Sequence, residues 1–360
     1  MVKYKRRISR QVYVGGIPVG GGAPISVQTM TKTKTADVEA TVAQIKSCQE
    51  AGADIVRVTV NDKQAAEAIR EIVRRVDVPI VADIHFNHIF ALAAIEAGVA
   101  KVRINPGNIG SKDRIKEVIE AAKKRKIPIR IGVNSGSLEK DILEKHSYPT
   151  AEALFESAMR HVQYCTELGF EDIVISVKST NVALMIEAYR LIAQETDFPL
   201  HLGVTEAGRE SVGTIKSAVG IGTLLAEGIG DTIRVSLTAP PEKEVEVGKE
   251  ILRSLGLAQR TVELISCPTC GRLDVDLFKI TEELEKKLKN IRKPVKVSIL
   301  GCSVNGPGEA KEADIGIAAG KGGGLLFING EIVRKVKEEE IVDAVYQAVI
   351  DFEVKENPKS

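Results

Sequence analysis

Eight short apolar segments rich in β-branched residues recur between Pro24 and Leu237, and a helix-like segment follows each of the first seven. The eight segments are PISVQ, DIVRVTV, PIVADI, KVRIN, PIRIGVN, DIVISVKS, PLHLGVT and TIRVSL. The connecting stretches, such as DKQAAEAIREIVRRV, place apolar residues at the 3.6-residue period of a helix with a polar outer face. Eight such units in roughly 220 residues predict an α/β fold of the closed (β/α)8 kind, a TIM barrel. They favour it over an open doubly wound sheet.

The chain on either side of these units has a different pattern. The glycine-rich stretch VGGIPVGGG at 14–22 predicts a small hairpin that caps the bottom of the barrel. After Leu237 the alternation stops, the pair Pro240 and Pro241 interrupts the chain, and apolar residues then recur at helical spacing. We therefore assign residues 1–240 to the barrel, 241–265 to a helix and linker, and 266–360 to a separate domain.

The third region is predicted to be a small α+β domain. A helix is expected in DVDLFKITEELEKKLKN, strands in VKVSIL and ADIGIAA, a hairpin turned at the Asn-Gly pair 329–330, and a last helix in EEEIVDAVYQAVIDF. Three of the five cysteines of the chain fall in this domain.

Polar residues occupy the inward-facing positions of the predicted barrel strands. Alternate strand residues face the interior, and those near the C-terminal strand ends line the mouth where TIM-barrel active sites lie. The inward set is Ser26, Gln28, Arg57, Thr59, Asp83, Arg103, Asn105, Arg130, Asn134, Ser176, Lys178, His201, Thr205, Arg234 and Ser236. Four arginines and a lysine in this set point to one common axis.

This excess of positive charge predicts an anionic ligand. Buried cations cost several kcal/mol each unless opposite charge compensates them, and the same faces offer only Asp83 and Glu206. Guanidinium groups bind phosphate oxygens in pairs and stay charged, so we expect a substrate with one or two phosphates. The alternative is that the arginines point outward and extend between the helices.

Composition and charge argue against two other classes of partner. The formal net charge is +1, aromatic residues make up 4% of the chain and there is no Trp, so a nucleic-acid partner is not expected. No apolar run reaches the ~20 residues of a membrane span, and the basic N-terminus leads into no secretory segment. We expect a cytoplasmic protein that binds no membrane.

The cysteines divide into two kinds. Cys48 and Cys165 stand alone in helical patterns and are expected to be buried packing residues. Cys267 and Cys270 form a CPTC motif, which alone is compatible with zinc, a redox pair or an iron–sulfur site. Cys302 adds a third thiol, and beyond Cys270 the chain has no histidine and no fourth cysteine. An iron–sulfur cluster tolerates a non-cysteine ligand better than structural zinc does, and Glu309 is the first carboxylate after Cys302.

These motifs together resemble one enzyme family over essentially the whole chain. SVQTMTKT, VADIHF, VRINPGN, RIGVNSGSL, LHLGVTEAG, IRVSLTAPP, SCPTCGR and GCSVNGPGEA are similar to the bacterial two-domain form of the hydroxymethylbutenyl diphosphate synthases. Those are iron–sulfur oxidoreductases of the non-mevalonate isoprenoid pathway. The chain lacks the extra domain of the plant-type enzymes.

The resemblance implies a substrate, a cofactor and a set of residue roles. The barrel would bind the cyclic diphosphate of methylerythritol and open its ring reductively, and Asp83 and Glu206 would lie near the reacting carbons. One 4Fe-4S cluster per chain would be held by Cys267, Cys270 and Cys302, with Glu309 on the fourth iron. The substrate contacts carried over are Arg57, Arg103, Asn105, Arg130, Asn134, Lys178, Ser179, Thr205, Arg234 and Ser236.

The resemblance also implies partners. The family is homodimeric, with the cluster domain of one subunit closing over the barrel mouth of the other. Because nothing in the sequence is typical of a flavin or nicotinamide site, flavodoxin or ferredoxin would be the electron donor.

Two other readings of the sequence remain open. SVQTMTKT and AGADIVRV also resemble the dihydropteroate synthase-like barrels, which would make the chain a phosphate-binding transferase with a structural zinc site. An iron–sulfur carrier or scaffold is the non-enzymatic reading.

Overall fold

The computed structural model describes residues 4–105, 112–258, 261–289, 291–302 and 306–353. Two compact units divide after Ala258, and each is described by itself below. The predicted domain boundaries at 240 and 265 stay predictions.

The first unit is an eight-stranded parallel barrel, which confirms the predicted fold class. Its strands are β3 (Ser26–Met30), β4 (Ile55–Thr59), β5 (Ile80–Ile84), β6 (Lys101–Ile104), β7 (Ile129–Asn134), β8 (Ile173–Lys178), β9 (His201–Leu202) and β10 (Thr232–Ile233). They follow one another in the order β8-β7-β6-β5-β4-β3-β10-β9. A parallel bridge between Ile175 of β8 and Leu200 beside β9 closes the ring.

Helices surround the barrel and cover an apolar outer layer of the strands. They are α1 (Val38–Glu50), α2 (Lys63–Arg75), α3 (His88–Ala97), α4 (Lys112–Arg125), α5 (Lys140–His146), α6 (Ala151–Glu167), α7 (Val182–Glu195), α8 (Glu210–Ala226) and α9 (Pro241–Ser254), with a 3-10 turn at Ser135–Ser137. Strand residues such as Val56, Val58 and Val102 belong to one buried cluster with helix residues such as Ile69 and Ile119. The main hydrophobic core of this unit therefore lies between strands and helices, outside the barrel.

A hairpin closes the N-terminal end of the barrel, as the glycine-rich stretch predicted. Its strands are β1 (Gln11–Val14) and β2 (Ile17–Gly20), paired antiparallel. Val12, Val14 and Val19 pack in one buried cluster with Ile55, Val81 and Val174, which stand at or near the first positions of their strands. The barrel thus has an apolar floor.

The second unit is a five-stranded mixed sheet with helices, the predicted α+β arrangement. Its strands are β11 (Glu263–Ser266), β12 (Lys296–Leu300), β13 (Ile315–Gly320), β14 (Gly323–Ile328) and β15 (Glu331–Lys337), in that order, and its helices are α10 (Leu277–Leu288), α11 (Gly306–Ala310) and α12 (Ile341–Asp351), with a 3-10 turn at Glu338–Glu340. The first three strands pair in parallel, and β14 and β15 form the predicted hairpin at Asn329 and Gly330.

Sequence reasoning missed β11. Residues 263–265 fall in the predicted linker and Ser266 in the predicted third region, because the apolar residues after Pro241 recur at helical spacing. The structure puts it at the edge of the sheet, where its side chains stay partly exposed. No helix in the described ranges is both long and apolar enough to cross a membrane.

Candidate functional site

Most of the predicted inward residues are buried inside the barrel. Arg57, Asp83, Arg103, Asn105, Arg130, Lys178 and Ser179 are all buried, while Asn134, Thr205, Arg234 and Ser236 are partly exposed and Glu206 is exposed. Neighbours of opposite parity, such as Val56 and Val102, pack toward the helices. The strand alternation thus divides an outer apolar face from an inner charged one.

Asp83 is the counterion of two arginines. Its Oδ1 lies 3.1 Å from Nη1 of Arg103, and its Oδ2 lies 3.6 Å from Nε of Arg57. Burial favours the neutral acid, but the charges of Arg57 and Arg103 outweigh it and hold the pKa of Asp83 well below its usual range. The carboxylate is therefore ionised and paired with both arginines.

Arg57 also contacts a sulfur atom. Its Nε and Nη2 lie 3.1 and 2.9 Å from Sδ of Met30, on the neighbouring strand. A thioether is a weak acceptor, so a phosphate oxygen would be a stronger partner for the same donors.

Arg130 and Lys178 have no carboxylate in ion-pair range among the residues that the structure describes. Burial lowers the pKa of both side chains, and the neighbouring guanidinium charges lower it further. The Nε and Nη1 atoms of Arg130 lack a hydrogen-bond partner within the described chain. Two buried cations without compensation require an anion from outside the chain.

Two glycines make room for the charged side chains, and sequence reasoning missed both. A Cβ atom on Gly132 would lie 2.4 Å from Nε of Arg103, and one on Gly203 would lie 3.1 Å from Nζ of Lys178. Both are at inward positions, two residues after Arg130 and His201. The signal in the sequence was a glycine at inward parity within RIGVN and HLGVT.

Polar groups near the strand ends complete the mouth. Nδ2 of Asn105 donates to Oγ of Ser137 at 3.0 Å. With its amide oxygen turned toward Arg103, Asn134 accepts a hydrogen bond from Nη2 at 3.2 Å. Glu206 adopts a left-handed backbone conformation, φ +49°, which is uncommon for a residue other than glycine. Such local strain is found most often at functional positions.

Glu244 is a second buried carboxylate that sequence reasoning missed. It lies in the first turn of α9, and its Oε2 is 3.6 Å from Nη2 of Arg234 and accepts from the hydroxyl of Thr29 at 3.0 Å. Its Oε1 accepts from the backbone N–H of Leu237 at 3.0 Å and lies 3.3 Å from Nζ of Lys32. Glu244 therefore connects α9, β3 and the end of β10 to Arg234.

In the second unit, the three thiols lie at the end of the sheet where the parallel strands β11 and β12 terminate. Cys267 directly follows β11, and Cys302 follows the adjacent parallel strand β12. Arg272 reaches Sγ of Cys270 at 3.5 Å, and all three thiols raise the pKa of Arg272. Glu309 is exposed on the short helix α11. Residues 303–305, between Cys302 and that helix, are outside the described residues.

The backbone of these two loops is shaped for close approach. Thr269, inside the CPTC motif, has φ +62°. A Cβ atom on Gly301 would lie 2.2 Å from Cδ1 of Leu273, so a larger residue there would have to displace the Leu273 side chain. In contrast, Cys48 and Cys165 are buried among apolar residues, and burial raises the pKa of each to about 12, as expected for packing residues.

The thiols are soft donors of the kind that both zinc and iron–sulfur clusters use. Within the described ranges, no three His, Cys, Asp or Glu side chains are grouped to hold one metal ion. Structural zinc takes four ligands on one ion, whereas an iron–sulfur cluster distributes thiolates over several iron atoms.

Comparison with known proteins gives matches along nearly the whole chain. Family models described as the GcpE TIM-barrel domain and the GcpE protein C-terminal domain match residues 9–249 and 263–351. The chain is 58% identical to a 4-hydroxy-3-methylbut-2-en-1-yl diphosphate synthase (flavodoxin) from Clostridium perfringens, over 96% of this chain and 99% of that protein. A protein of the same name from Thermodesulfovibrio yellowstonii is 54% identical, over 96% and 99%.

Two solved structures are similar to part of the chain. A dihydropteroate synthase from Xanthomonas albilineans aligns with a TM-score of 0.50 and 16% identity, over 69% of this chain and 97% of that one. A 3-dehydroquinate dehydratase from Geobacillus kaustophilus aligns with a TM-score of 0.50 and 15% identity, over 71% and 100%. At these identities the likeness shows a shared fold.

Proposed function

Since the chain belongs to the GcpE family, we propose that it is a 4-hydroxy-3-methylbut-2-en-1-yl diphosphate synthase. It would reduce 2-C-methyl-D-erythritol 2,4-cyclodiphosphate to (E)-4-hydroxy-3-methylbut-2-enyl diphosphate and water. The observation that carries this proposal is the set of buried, uncompensated cations in the barrel, in a chain 58% identical to a synthase of that name.

The arginines and Lys178 would bind the diphosphate. Arg57 and Arg103 are fixed by Asp83, so their remaining donors are already oriented before a ligand arrives. Arg130 and Lys178 have no carboxylate partner in the described residues, so both can bind phosphate oxygens. Arg234 is held by its ion pair with Glu244. Asn105, Asn134, Ser179, Thr205 and Ser236 would add neutral contacts at the mouth. Rigid donors hold a charged ring in one orientation.

Cys267, Cys270, Cys302 and Glu309 would hold a 4Fe-4S cluster. When bound, such a cluster supplies electrons one at a time and a Lewis-acidic iron. The carboxylate of Glu309 is a more replaceable ligand than a thiolate and is exposed on α11, so it would suit the fourth iron, which the three thiols leave without a ligand.

Glu206 would act on the leaving hydroxyl. Two electrons cleave the carbon–oxygen bond of the cyclic diphosphate, and the hydroxyl needs a proton to leave as water. Glu206 is exposed at the C-terminal end of the β9 segment, where barrel active sites lie, and its carboxyl group can hold or donate that proton.

The proposal includes partners and a compartment. Flavodoxin, which the relatives' names include, or ferredoxin would deliver the electrons, and the chain would work as a homodimer. The cytoplasm would keep the cluster thiols reduced.

The two alternatives have less support. The likeness to dihydropteroate synthases concerns the fold, at 16% identity. The chain is 58% identical to a 4-hydroxy-3-methylbut-2-en-1-yl diphosphate synthase. A carrier or scaffold would not need a barrel lined with four arginines and a lysine.

Anaerobic turnover tests the proposed function. The chain, purified without oxygen, should contain about four iron and four sulfide and convert the cyclic diphosphate with reduced flavodoxin or dithionite. Product identification by mass spectrometry should give the allylic diphosphate. A colourless protein with one zinc ion and no turnover would overturn the proposal in favour of the transferase.

A further inference from the structure

A second polar layer lies in the barrel between the substrate arginines and the apolar floor. Ser26, Thr232 and His201 are direct register partners on three neighbouring strands. Lys101 is one inward step below Arg103 on β6, about 6.6 Å nearer the N-terminal end. Lys101, Arg130 and His201 are each 0% exposed.

The polar atoms of this layer have no partners among the described residues. They are Oγ of Ser26, Nε2 and Oε1 of Gln28, Nζ of Lys101, Nε and Nη1 of Arg130, Nδ1 and Nε2 of His201 and Oγ1 of Thr232. The large majority of buried side-chain polar atoms in folded proteins are hydrogen-bonded to protein or to ordered water. So many polar atoms without hydrogen-bond partners in one layer indicate that the layer holds something other than protein.

The charges favour an ion over water alone. The described barrel interior contains six cationic side chains, Arg57, Lys101, Arg103, Arg130, Lys178 and Arg234, and two buried carboxylates, Asp83 and Glu244. With all six protonated this leaves an excess of four positive charges, and an anion beside Lys101 would offset the burial and the charges of Arg130 and Arg57 that lower the pKa of that lysine. The proposed cyclic diphosphate has one ionisable oxygen on each phosphorus, so it neutralises two. Neither buried carboxylate forms an ion pair with Lys101 in the described chain.

The position of the layer restricts the size of the ligand. The hairpin residues Val12, Val14 and Val19 close it from below with Ile55, Val81 and Val174, and the substrate arginines close it from above. Lys101 supplies N–H donors, and the hydroxyls of Ser26 and Thr232 can also donate. Several donors around an enclosed, positively charged position are the arrangement that a small spherical anion requires.

We propose that the layer of Lys101, His201, Ser26 and Thr232 binds a monovalent inorganic anion of halide size, separate from the substrate and beneath it. The anion compensates Lys101 and so stabilises the barrel whether or not substrate is present. It takes no part in the reaction. This site does not depend on the identity of the substrate, because its residues lie on the floor side of the mouth.

Bromide is the probe for the first test. Crystals of the full chain soaked in bromide should show an anomalous peak within hydrogen-bond distance of Nζ of Lys101, and the peak should remain when excess inorganic pyrophosphate occupies the mouth. An absent peak, a peak only on the mouth arginines, or a peak that pyrophosphate removes would each overturn the separate site.

Stability gives the second test. Replacing gluconate by bromide at constant ionic strength should raise the thermal midpoint of the anaerobic holoenzyme, with about a tenfold gain in the folding constant per tenfold bromide above its dissociation constant. Lys101→Met, which removes a buried charge and keeps the volume, should fold and lose this response. Lys63→Met, at a side chain 84% exposed, is the matched control and should keep it. An equal response in Lys101→Met and wild type would overturn the inference.

Discussion

Nη1 of Arg103 lies 3.1 Å from Oδ1 of Asp83, and both side chains are almost completely removed from solvent. Asp83 also faces Arg57, so one carboxylate holds two cations that would otherwise repel each other. This contact sets the geometry of the proposed phosphate site before any ligand binds.

Replacing Asp83 by Asn should destabilise the barrel by about 3 kcal/mol, because it leaves two buried guanidinium groups without their counterion. Urea unfolding at pH 7 measures the loss. Glu120→Gln, at an exposed position of α4, is the control and should change stability by less than about 0.5 kcal/mol. A loss in Asp83→Asn no larger than in the control would contradict the role of this pair.

The same pair gives the barrel a pH dependence. The pKa of Asp83 is lower in the folded than in the unfolded chain. Its contribution to stability is therefore complete above the unfolded value of about 4 and is lost as the pH falls below it toward the folded pKa. The stability difference between wild type and Asp83→Asn should be constant from pH 7 to about pH 5 and shrink below about pH 4, by urea unfolding at each pH. A difference that stayed constant down to about pH 2 would contradict the shift.

Gly132→Ala should weaken anion binding by at least about tenfold, because its Cβ would lie 2.4 Å from Nε of Arg103 and displace that side chain. Calorimetric titration with the cyclic diphosphate measures the effect. Gly136→Ala is a matched control four residues later, where an added Cβ meets nothing within 4 Å. Equal affinities in the two variants would show that Arg103 does not need this space.

Glu244→Gln should lower stability by about 2 kcal/mol and raise KM more than it lowers kcat, because Arg234 and Lys32 lose a buried counterion while the shape is kept. Glu250→Gln on the exposed side of the same helix should alter neither. A normal KM in a destabilised Glu244→Gln would limit the residue to holding α9 against β3.

Glu309→Ala should retain much of its iron and sulfide yet lose activity, while Cys302→Ser should lose both. Iron and sulfide analysis and the visible spectrum under anaerobic conditions separate the two variants. The reason is that a replaceable carboxylate contributes less to holding a cluster than a thiolate does. An unaltered rate in Glu309→Ala would show that the fourth iron is held in another way.

Glu206→Gln should lose most turnover with either flavodoxin or dithionite, because an amide cannot hold or donate the proton that the hydroxyl requires. Glu210→Gln, at an exposed position in the first turn of α8, should keep the wild-type rate. Full turnover of Glu206→Gln under dithionite would remove the residue from the proton step.

Periodicity predicted the barrel, and strand parity predicted which faces Arg57, Arg103 and Arg130 occupy, because both follow from local backbone geometry. Lys101 has the same parity as Arg103 and could have been found by extending the alternation one step back. Glu244 could not have been found in this way, since its contact Thr29 lies 215 residues away in sequence. The two inward glycines were missed because a pattern search looks for side chains, and their role is the absence of one.

The charged interior changes which contacts stabilise the barrel. In most TIM barrels apolar side chains fill the centre, whereas here the main apolar core lies outside the strands and charged side chains line the centre above the apolar floor. A ligand that enters such a barrel completes its packing as well as occupying its site. A cell short of the cyclic diphosphate would therefore hold a less stable, more readily degraded form of the protein. The supply of this substrate would then set the lifetime of the enzyme that consumes it.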